Sequence, residues 1–298
     1  MDYLKFFNLD EDPFRITPDP AFFFPSDRHN ELLLSMNYLI EQKEGFLLVT
    51  GEPGTGKTTT LKVFIDRWRE NTEIALIMTP RLSPEEFLLA VLEDLKITVP
   101  ATNKHEVLKA FRNFLVSSAE AGKRTVIIVD EAQNLPDETL EELRLLSNLE
   151  TEKEKLLQIV LIGQPELKMR LRQQHLTQLN QRITIRISLD RLTQQETTEY
   201  VNYRLTRAGK ATVTFGSDAS KRLHKLSGGI PRLINLIASR ALMAAFVEGK
   251  GIVRENHVNH AAAHVLDTGN ARRPFNFRWA AAAIGTAGIL AVLALAFK

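Results

Sequence analysis

The sequence predicts an α/β protein: a mainly parallel five-stranded sheet covered by helices, then a small all-helical domain and a C-terminal membrane-spanning helix. Three observations carry this expectation. Five short apolar runs, Phe46–Thr50, Ile74–Met78, Thr125–Val129, Leu156–Ile162 and Ile183–Leu189, mostly sit between helical patterns, which argues for a helix-covered parallel sheet. After Leu192 the strand-like runs stop and helical patterns continue to Leu266. From Ala280 to Phe297 the chain reads AAAAIGTAGILAVLALAF, with no charge.

The elements follow in order. Residues 1–30 are aromatic and proline-rich, with Phe6, Phe7, Phe14 and the run Phe22–Phe24. Pro13, Pro18, Pro20 and Pro25 forbid a long helix there, so the segment is expected to pack extended against the next domain. Residues 31–192 hold the sheet. They open with a helix over Glu31–Gln42, whose Leu32, Met36, Leu39 and Ile40 recur at helical spacing. Residues 193–266 form the helical domain. Thr193 and Glu196 make a capping box that opens its first helix, and Gly209 can close it. Residues 267–278, DTGNARRPFNFR, are a short polar linker to a span over 279–297.

The apolar run is long enough to cross a bilayer, since 18 residues make roughly 27 Å of helix against a hydrocarbon core of ~30 Å. A buried C-terminal helix is the alternative, but such helices rarely stay apolar on every face. Trp279 suits the interface. Arg272, Arg273 and Arg278 precede the span and only Lys298 follows it. The positive-inside rule therefore places the N-terminal part in the cytoplasm, with a single pass through the membrane. The start, Met1 to Asp10, is acidic and aromatic and does not read as a signal peptide.

Composition narrows the chemistry. The 298 residues carry 38 basic and 36 acidic side chains, a net charge of +2. That balance disfavours a strongly basic nucleic-acid binder. With no cysteine, a disulfide scaffold, a cysteine nucleophile and a Cys-type zinc site are excluded. The lack of cysteine also suits a reducing cytosol.

The most specific motif is Gly51-Glu52-Pro53-Gly54-Thr55-Gly56-Lys57-Thr58, a complete G-x-x-x-x-G-K-[ST]. An apolar strand precedes it and the helical pattern Thr59–Arg69 follows. Glycines let the backbone curl so that N–H groups meet phosphate oxygens, and the helix N-terminus faces the same anion. Lys57 is expected to reach the β- and γ-phosphates and the Thr58 hydroxyl to ligate Mg2+. A second element, TVIIVDEAQ over residues 125–133, ends a strand in Asp130 and Glu131. On its own such a pair marks only a helix start. About 70 residues after a phosphate loop, it reads as a magnesium carboxylate, Asp130, and a general base for water, Glu131. Together the two predict hydrolysis of Mg-ATP.

These residues resemble the AAA+ ATPases, and among them the secretion ATPases of the general secretion pathway protein A (ExeA) type, with MSHA-pilus biogenesis ATPases as relatives. The resemblance covers about residues 1–266. It rests on YLKFFNL…PF…PDPAFFFPS, GFLLVTGEPGTGKTT, VDEAQNL, IGQPEL, LNQRITIRISLDRLTQQETTEYVNYRLTRAG and SGGIPRLIN. It implies a P-loop AAA+ core with a helical lid, with residues 51–59 (through Thr59) around ATP. Gln164 falls at the sensor-1 position and Arg232 at the sensor-2 position. Arg182 falls where an arginine finger acts on the neighbouring subunit's ATP, and Arg186 competes for that role. Lys57 and Arg232 are the cations expected within one site, so a homo-oligomer would supply the missing one. The family implies an inner-membrane or periplasmic secretion or pilus-assembly partner. Longer members carry a periplasmic, often peptidoglycan-binding, part after the span, and here only Lys298 follows.

Weaker signals remain. His257, His260 and His264 have ligand-like spacing on one helix, but a polar lid surface explains them without a metal. The charged stretch 150–155 reads as a solvated loop. Ala283, Ala287 and Ala291 permit close helix approach in the membrane. The leading reading is a membrane-anchored ATPase that drives assembly of a secretion, pilus or surface-polymer export apparatus. The alternative is a DNA-associated transposition or replication ATPase, against which the span and the near-neutral charge count.

Overall fold

The computed structural model describes residues 2–78, 81–99, 103–150 and 154–266. The predicted span and linker, and Glu150–Lys155 in part, lie outside the described residues. Among the described residues no helix is long and apolar enough to cross a membrane. The chain divides into a first unit over residues 1–261 and a second over 262–298.

In chain order the elements are α1 (Tyr3–Phe6), α2 (Asp27–Glu41), β1 (Phe46–Gly51), α3 (Lys57–Trp68), β2 (Thr72–Ile77) and α4 (Pro84–Asp94). Then come α5 (Lys104–Glu120), β3 (Arg124–Val129), α6 (Asp137–Leu146), β4 (Leu157–Gly163), α7 (Pro165–Arg170), α8 (Thr177–Arg182) and β5 (Ile185–Leu189). Beyond β5 lie α9 (Gln194–Arg207), β6 (Thr214–Phe215), α10 (Ser217–Ser227), α11 (Pro231–Val247), β7 (Ile252–Val253) and α12 (Glu255–Leu266). All five predicted strands are present, within a residue or two of their expected bounds.

The five strands form one sheet in the order β2-β3-β4-β1-β5, and every pairing is parallel. Alternation along the strands splits the core in two. Phe46, Leu48, Ile127, Val129, Ile159 and Leu161 face the layer of α4 to α8, packing on Phe87, Phe111 and Leu143. Leu47, Val49, Val126, Ile128, Val160 and Ile162 face α2 and α3, packing on Met36, Leu39 and Phe64. A sheet covered on both faces needs apolar residues at consecutive positions, which is why these strands read as runs.

The order places β1 between β4 and β5, while the chain passes from β1 to β2 at the far edge. Ligands of such sheets bind beyond the carboxyl ends of the strands, where the order reverses. The loop after β1, Gln164 after β4 and Asp130 after β3 all emerge at that end.

One expectation about the flanking parts needs correction. The lid is not wholly helical: β6 and β7 form a two-residue parallel pair, Thr214 with Ile252 and Phe215 with Val253. Strands this short carry no readable period. The capping box opening α9 is present, with Thr193 Oγ1 accepting from Glu196 N–H and the Glu196 carboxylate accepting from Thr193 N–H.

The N-terminal segment packs on the sheet domain, where Phe23 joins the core beside α2 and α3, and also on the lid, which the sequence did not show. Phe7 meets Phe246, Phe14 meets Phe215 and Phe24 meets Tyr200, all edge-on at 5.7–6.3 Å between centroids. Phe7 and Phe14 are each 1% exposed. A lid of few helices cannot enclose its own apolar surface, and these rings complete it.

Candidate nucleotide site

The cleft beyond β1 has a volume of about 460 Å³. Pro53, Gly54, Gly56, Lys57, Thr58, Thr59 and Glu131 line one side, with Pro231 and Arg232 from the lid beside them. Gly51, Glu52, Thr55 and Asp130 stand behind this lining and hold it. Gly56 has φ +103 and a Cβ there would lie 2.6 Å from His29 Nε2, so both conformation and space require glycine. Gly54, at φ +84, is similarly crowded by the Arg232 side chain.

The loop's carbonyls are bonded inward. Lys57 Nζ donates to Gly51 O at 2.7 Å and to Glu52 O at 3.1 Å. Thr55 Oγ1 donates to Glu52 O at 2.8 Å, and Arg232 N–H donates to Gly54 O at 3.2 Å. The Glu52 carboxylate takes both donors of Arg191, at 2.9 and 2.7 Å. Glu52 is therefore a brace of the loop, not a side chain turned to the cleft. Lys57 is buried, and burial pulls its ammonium below the usual lysine range while Glu131, Asp130 and Glu166 pull it back.

Asp130 and Glu131 lie beside the loop. Thr58 Oγ1 donates to Asp130 Oδ2 at 2.9 Å, which brings together the two side chains expected at Mg2+. Magnesium keeps waters and phosphate oxygens in its shell, so two protein groups suit it. Glu131 adopts left-handed backbone geometry at φ +53, uncommon for a residue with a side chain and characteristic of functional sites. Its N–H donates to Asp130 Oδ1 at 2.9 Å. Gln164 Nε2 donates to Glu131 Oε2 at 3.3 Å, so the sensor-1 candidate is at the site.

Gln133 is an addition. Its Nε2 donates to Glu131 Oε2 at 2.6 Å and its Oε1 accepts from Gln164 N–H at 3.1 Å. Arg170 Nη1 donates to the Gln133 carbonyl at 3.0 Å and pairs with Asp137. Gln133 lies inside VDEAQNL, two residues past Glu131, and its amide was the available signal.

His29 is a second addition, with no sequence signal. It is 5% exposed. Nε2 lies 3.1 Å from the Thr55 carbonyl and Nδ1 2.5 Å from Ser26 Oγ. A carbonyl only accepts, so Nε2 carries the proton and Nδ1 accepts from the Ser26 hydroxyl. Burial lowers its pKa, which the Thr55 bond and Glu196 partly oppose.

The other predicted residues divide. Arg232 lines the cleft beside the phosphate loop. Arg182 does not: its Nη1 donates to Ser147 Oγ at 3.0 Å, at the end of α6. Arg186 is exposed on β5 and bonds Asn180 O and Oδ1 at 2.5 and 3.0 Å. Two cations not expected in the cleft, Arg15 and Arg204, also line it. Arg15 pairs with Glu11, and Arg204 is committed to main-chain carbonyls of the N-terminal segment. Among the described residues no cluster of three or more His, Cys, Asp or Glu is arranged to hold a metal. His257 is not on the lid surface, being 3% exposed. It accepts Arg254 N–H at Nδ1 and meets Glu248 through Nε2, each at 3.0 Å, sealing the start of α12.

Fold and site together define an AAA+ P-loop NTPase-type protein: residues 40–171 match the AAA domain family. Within that class the chain is of the general secretion pathway protein A type, being 46% identical over 264 residues to general secretion pathway protein A of Aeromonas hydrophila. That match covers 88% of this chain and 48% of the relative, so the chain spans about half the length of the curated protein it matches. Solved structures share the fold. Cdc6p of Pyrobaculum aerophilum has a TM-score of 0.62 at 19% identity, covering 82% of this chain and 70% of that one. The ORC2 protein of Aeropyrum pernix has 0.64 at 16%, covering 86% and 71%. The RuvB Holliday junction branch migration motor of Thermotoga maritima has 0.56 at 18%, covering 85% and 74%.

The neutral His29 sets a pH dependence. The unfolded chain binds its proton at the ordinary value of 6.5 and the folded chain only below that. Stability is therefore full above pH 6.5 and falls as pH drops beneath it, by at most about 1.4 kcal/mol per pH unit. Thermal melts from pH 8 to 5 should show that fall, and His29→Gln, which keeps a donor for Thr55, should flatten it. An identical pH slope in both proteins would remove His29 as its source.

Proposed function

We propose that this protein hydrolyses Mg-ATP and uses it to drive assembly of a secretion, pilus or surface-polymer export apparatus. The observation that carries hydrolysis, beyond binding, is the placement of Glu131. Both amide donors fall on Oε2, which leaves Oε1 as the oxygen to take a proton from an attacking water. Neutral amides orient the carboxylate without neutralising it. Mg2+ held at Thr58 and Asp130 would neutralise phosphate charge. Lys57 and Arg232 then face the charge that spreads over the γ-phosphoryl oxygens. The secretion role is supported by the likeness to general secretion pathway protein A, whereas likenesses of 16–19% identity to the Cdc6p, ORC2 and RuvB structures speak for the fold alone. Lys57→Ala should weaken ATP binding about tenfold or more. Glu131→Gln should keep binding and lose about a hundredfold or more in turnover. Hydrolysis by the Glu131 variant at the wild-type rate removes it as the base.

The same proposal includes a membrane anchor over residues 279–297, with the ATPase part cytoplasmic at the inner membrane. It is supported by the charge-free run and its basic flank. The chain should stay with membranes through a carbonate wash, and protease applied to spheroplasts should spare the ATPase part. Release into the wash, or cleavage from outside, defeats the topology.

Subunits are proposed to complete one another's sites. Arg15 and Arg204 are engaged elsewhere, and Arg182 lies outside its own cleft, bonding the Ser147 hydroxyl. A neighbouring copy is thus the place where its charge can act. Confinement of subunits by the membrane raises their effective concentration. Glu131→Gln and Arg182→Ala should each be inactive alone and regain part of the activity when mixed. Co-assembly without recovery eliminates the trans role.

A further inference from the structure

The cleft has a phosphate end and another end. The loop Gly54–Thr59 and Glu131 fix the first. The remaining walls are Arg15–Asp19 from the N-terminal segment and Tyr200, Arg204 and Asn235 from the lid. A nucleoside triphosphate with its phosphates on the loop therefore puts its base and ribose against these walls. We propose that Arg204 is a positioning residue for that nucleoside end: it clamps the main chain of Pro13–Arg15 to the lid and so fixes the wall formed by Arg15–Asp19. The proposal rests on the ATP reading above and concerns how the same site grips its substrate.

Arg204 is 6% exposed, and among the described residues no carboxylate pairs with it. A buried guanidinium without a counter-ion is costly unless its donors are satisfied. Here every partner is neutral. Nε donates to the Pro13 carbonyl, Nη2 to the Arg15 carbonyl at 3.3 Å and Nη1 to the Tyr200 hydroxyl at 3.0 Å. The rings of Phe22 and Tyr200 lie 4.9 and 5.6 Å from its central carbon, where their faces attract a cation.

A second lid helix grips the same carbonyl. Asn235 Nδ2 donates to Arg15 O at 3.4 Å, and its Oδ1 accepts from the Tyr200 hydroxyl at 2.9 Å. Both acceptor sites of the Arg15 carbonyl are thus taken by the lid, from α9 and α11. Helix α11 also bears Arg232, whose N–H meets Gly54 O. The other end of the wall is tied to the core by Lys62 Nζ on Pro18 O at 3.1 Å. The wall is therefore set in register with the phosphate loop through hydrogen bonds whose principal node is Arg204.

Loosening that node should loosen the nucleoside and spare the phosphates. In the full chain, Arg204→Met keeps an unbranched apolar stem and removes the guanidinium donors. It should weaken Mg-ATP binding about tenfold or more and raise KM by the same factor, with kcat within about twofold. Its affinity for inorganic tripolyphosphate with magnesium should be unchanged. Asn235→Ala removes one of the two donors to Arg15 O without emptying a charged site, so it carries the test if the first variant does not fold. It should weaken ATP about two- to fivefold and also leave tripolyphosphate unaffected. Equal weakening of both ligands would mean a general structural loss and would overturn the proposal, as would no change in ATP binding. Failure of the wild-type chain to bind ATP would instead refute the nucleotide reading, and this proposal with it.

Discussion

The carbonyl groups of the loop Gly51–Gly56 are bonded into the protein from several directions at once. Lys57 takes Gly51 and Glu52, His29 takes Thr55, and the main chain of Arg232 takes Gly54. Each of these donors comes from a different element: α3, α2 and α11. The loop is thereby held by the sheet layer on one side and by the lid on the other. A backbone fixed through its carbonyls is preorganised to offer N–H groups to an anion, and the first N–H groups of α3 have no helical acceptor of their own. Positions that tolerate no side chain, Gly54 and Gly56, are those where the lid arginine and the α2 histidine come close.

That constraint explains what lies beyond the loop. Asp130 must reach Thr58 across β4, because β3 and β1 are not neighbours in the sheet. Glu131 then has to turn back toward the cleft, and its left-handed backbone makes the turn. A carboxylate there would swing freely without Gln133 and Gln164, which bond the same oxygen from the end of β3 and the end of β4. The sheet order thus delivers three strand ends to one point: one opening the phosphate loop, one bearing Asp130 and Glu131, and one bearing Gln164, which bonds the Glu131 carboxylate.

Residues whose role depends on local chain geometry were legible in the sequence. The phosphate loop, the carboxylates after an apolar strand and the Thr193–Glu196 box are each encoded within a few positions, and the strands were visible because both faces of the sheet are buried. What escaped was set by contacts between distant parts. His29 stands 26 residues from the carbonyl it bonds, in a polar stretch, Ser26–Glu31, that looks solvated. Arg204 and Pro13 are 191 positions apart, and one arginine among many carries no mark of a buried place. The expectation that the N-terminal segment packs on the domain next in sequence holds for Phe23, but the lid was missed for the same reason. Phe7, Phe14 and Phe24 meet lid rings. His257 was misplaced on the surface because helical spacing shows which residues share a face, not which face is covered.

The lid and the N-terminal segment are best understood as one structural partner of the sheet domain. Asp10 N–H and Thr212 N–H close main-chain bonds between them, to Ala208 O and Phe7 O, and Leu9 bridges Gly209. Phe14 fills against Phe215 at the short strand pair. Main-chain bonds and buried aromatic area together make separation of the two costly. The ties to the sheet domain include the Phe23 ring in its core and hydrogen bonds at Lys62, at Gly54 and at the Leu192–Gly229 junction. The cleft is thus bounded by the phosphate loop on one side and by this pair on the other. A ligand that touches both sides at once, phosphates on the loop and nucleoside on the wall, adds its own contacts between them.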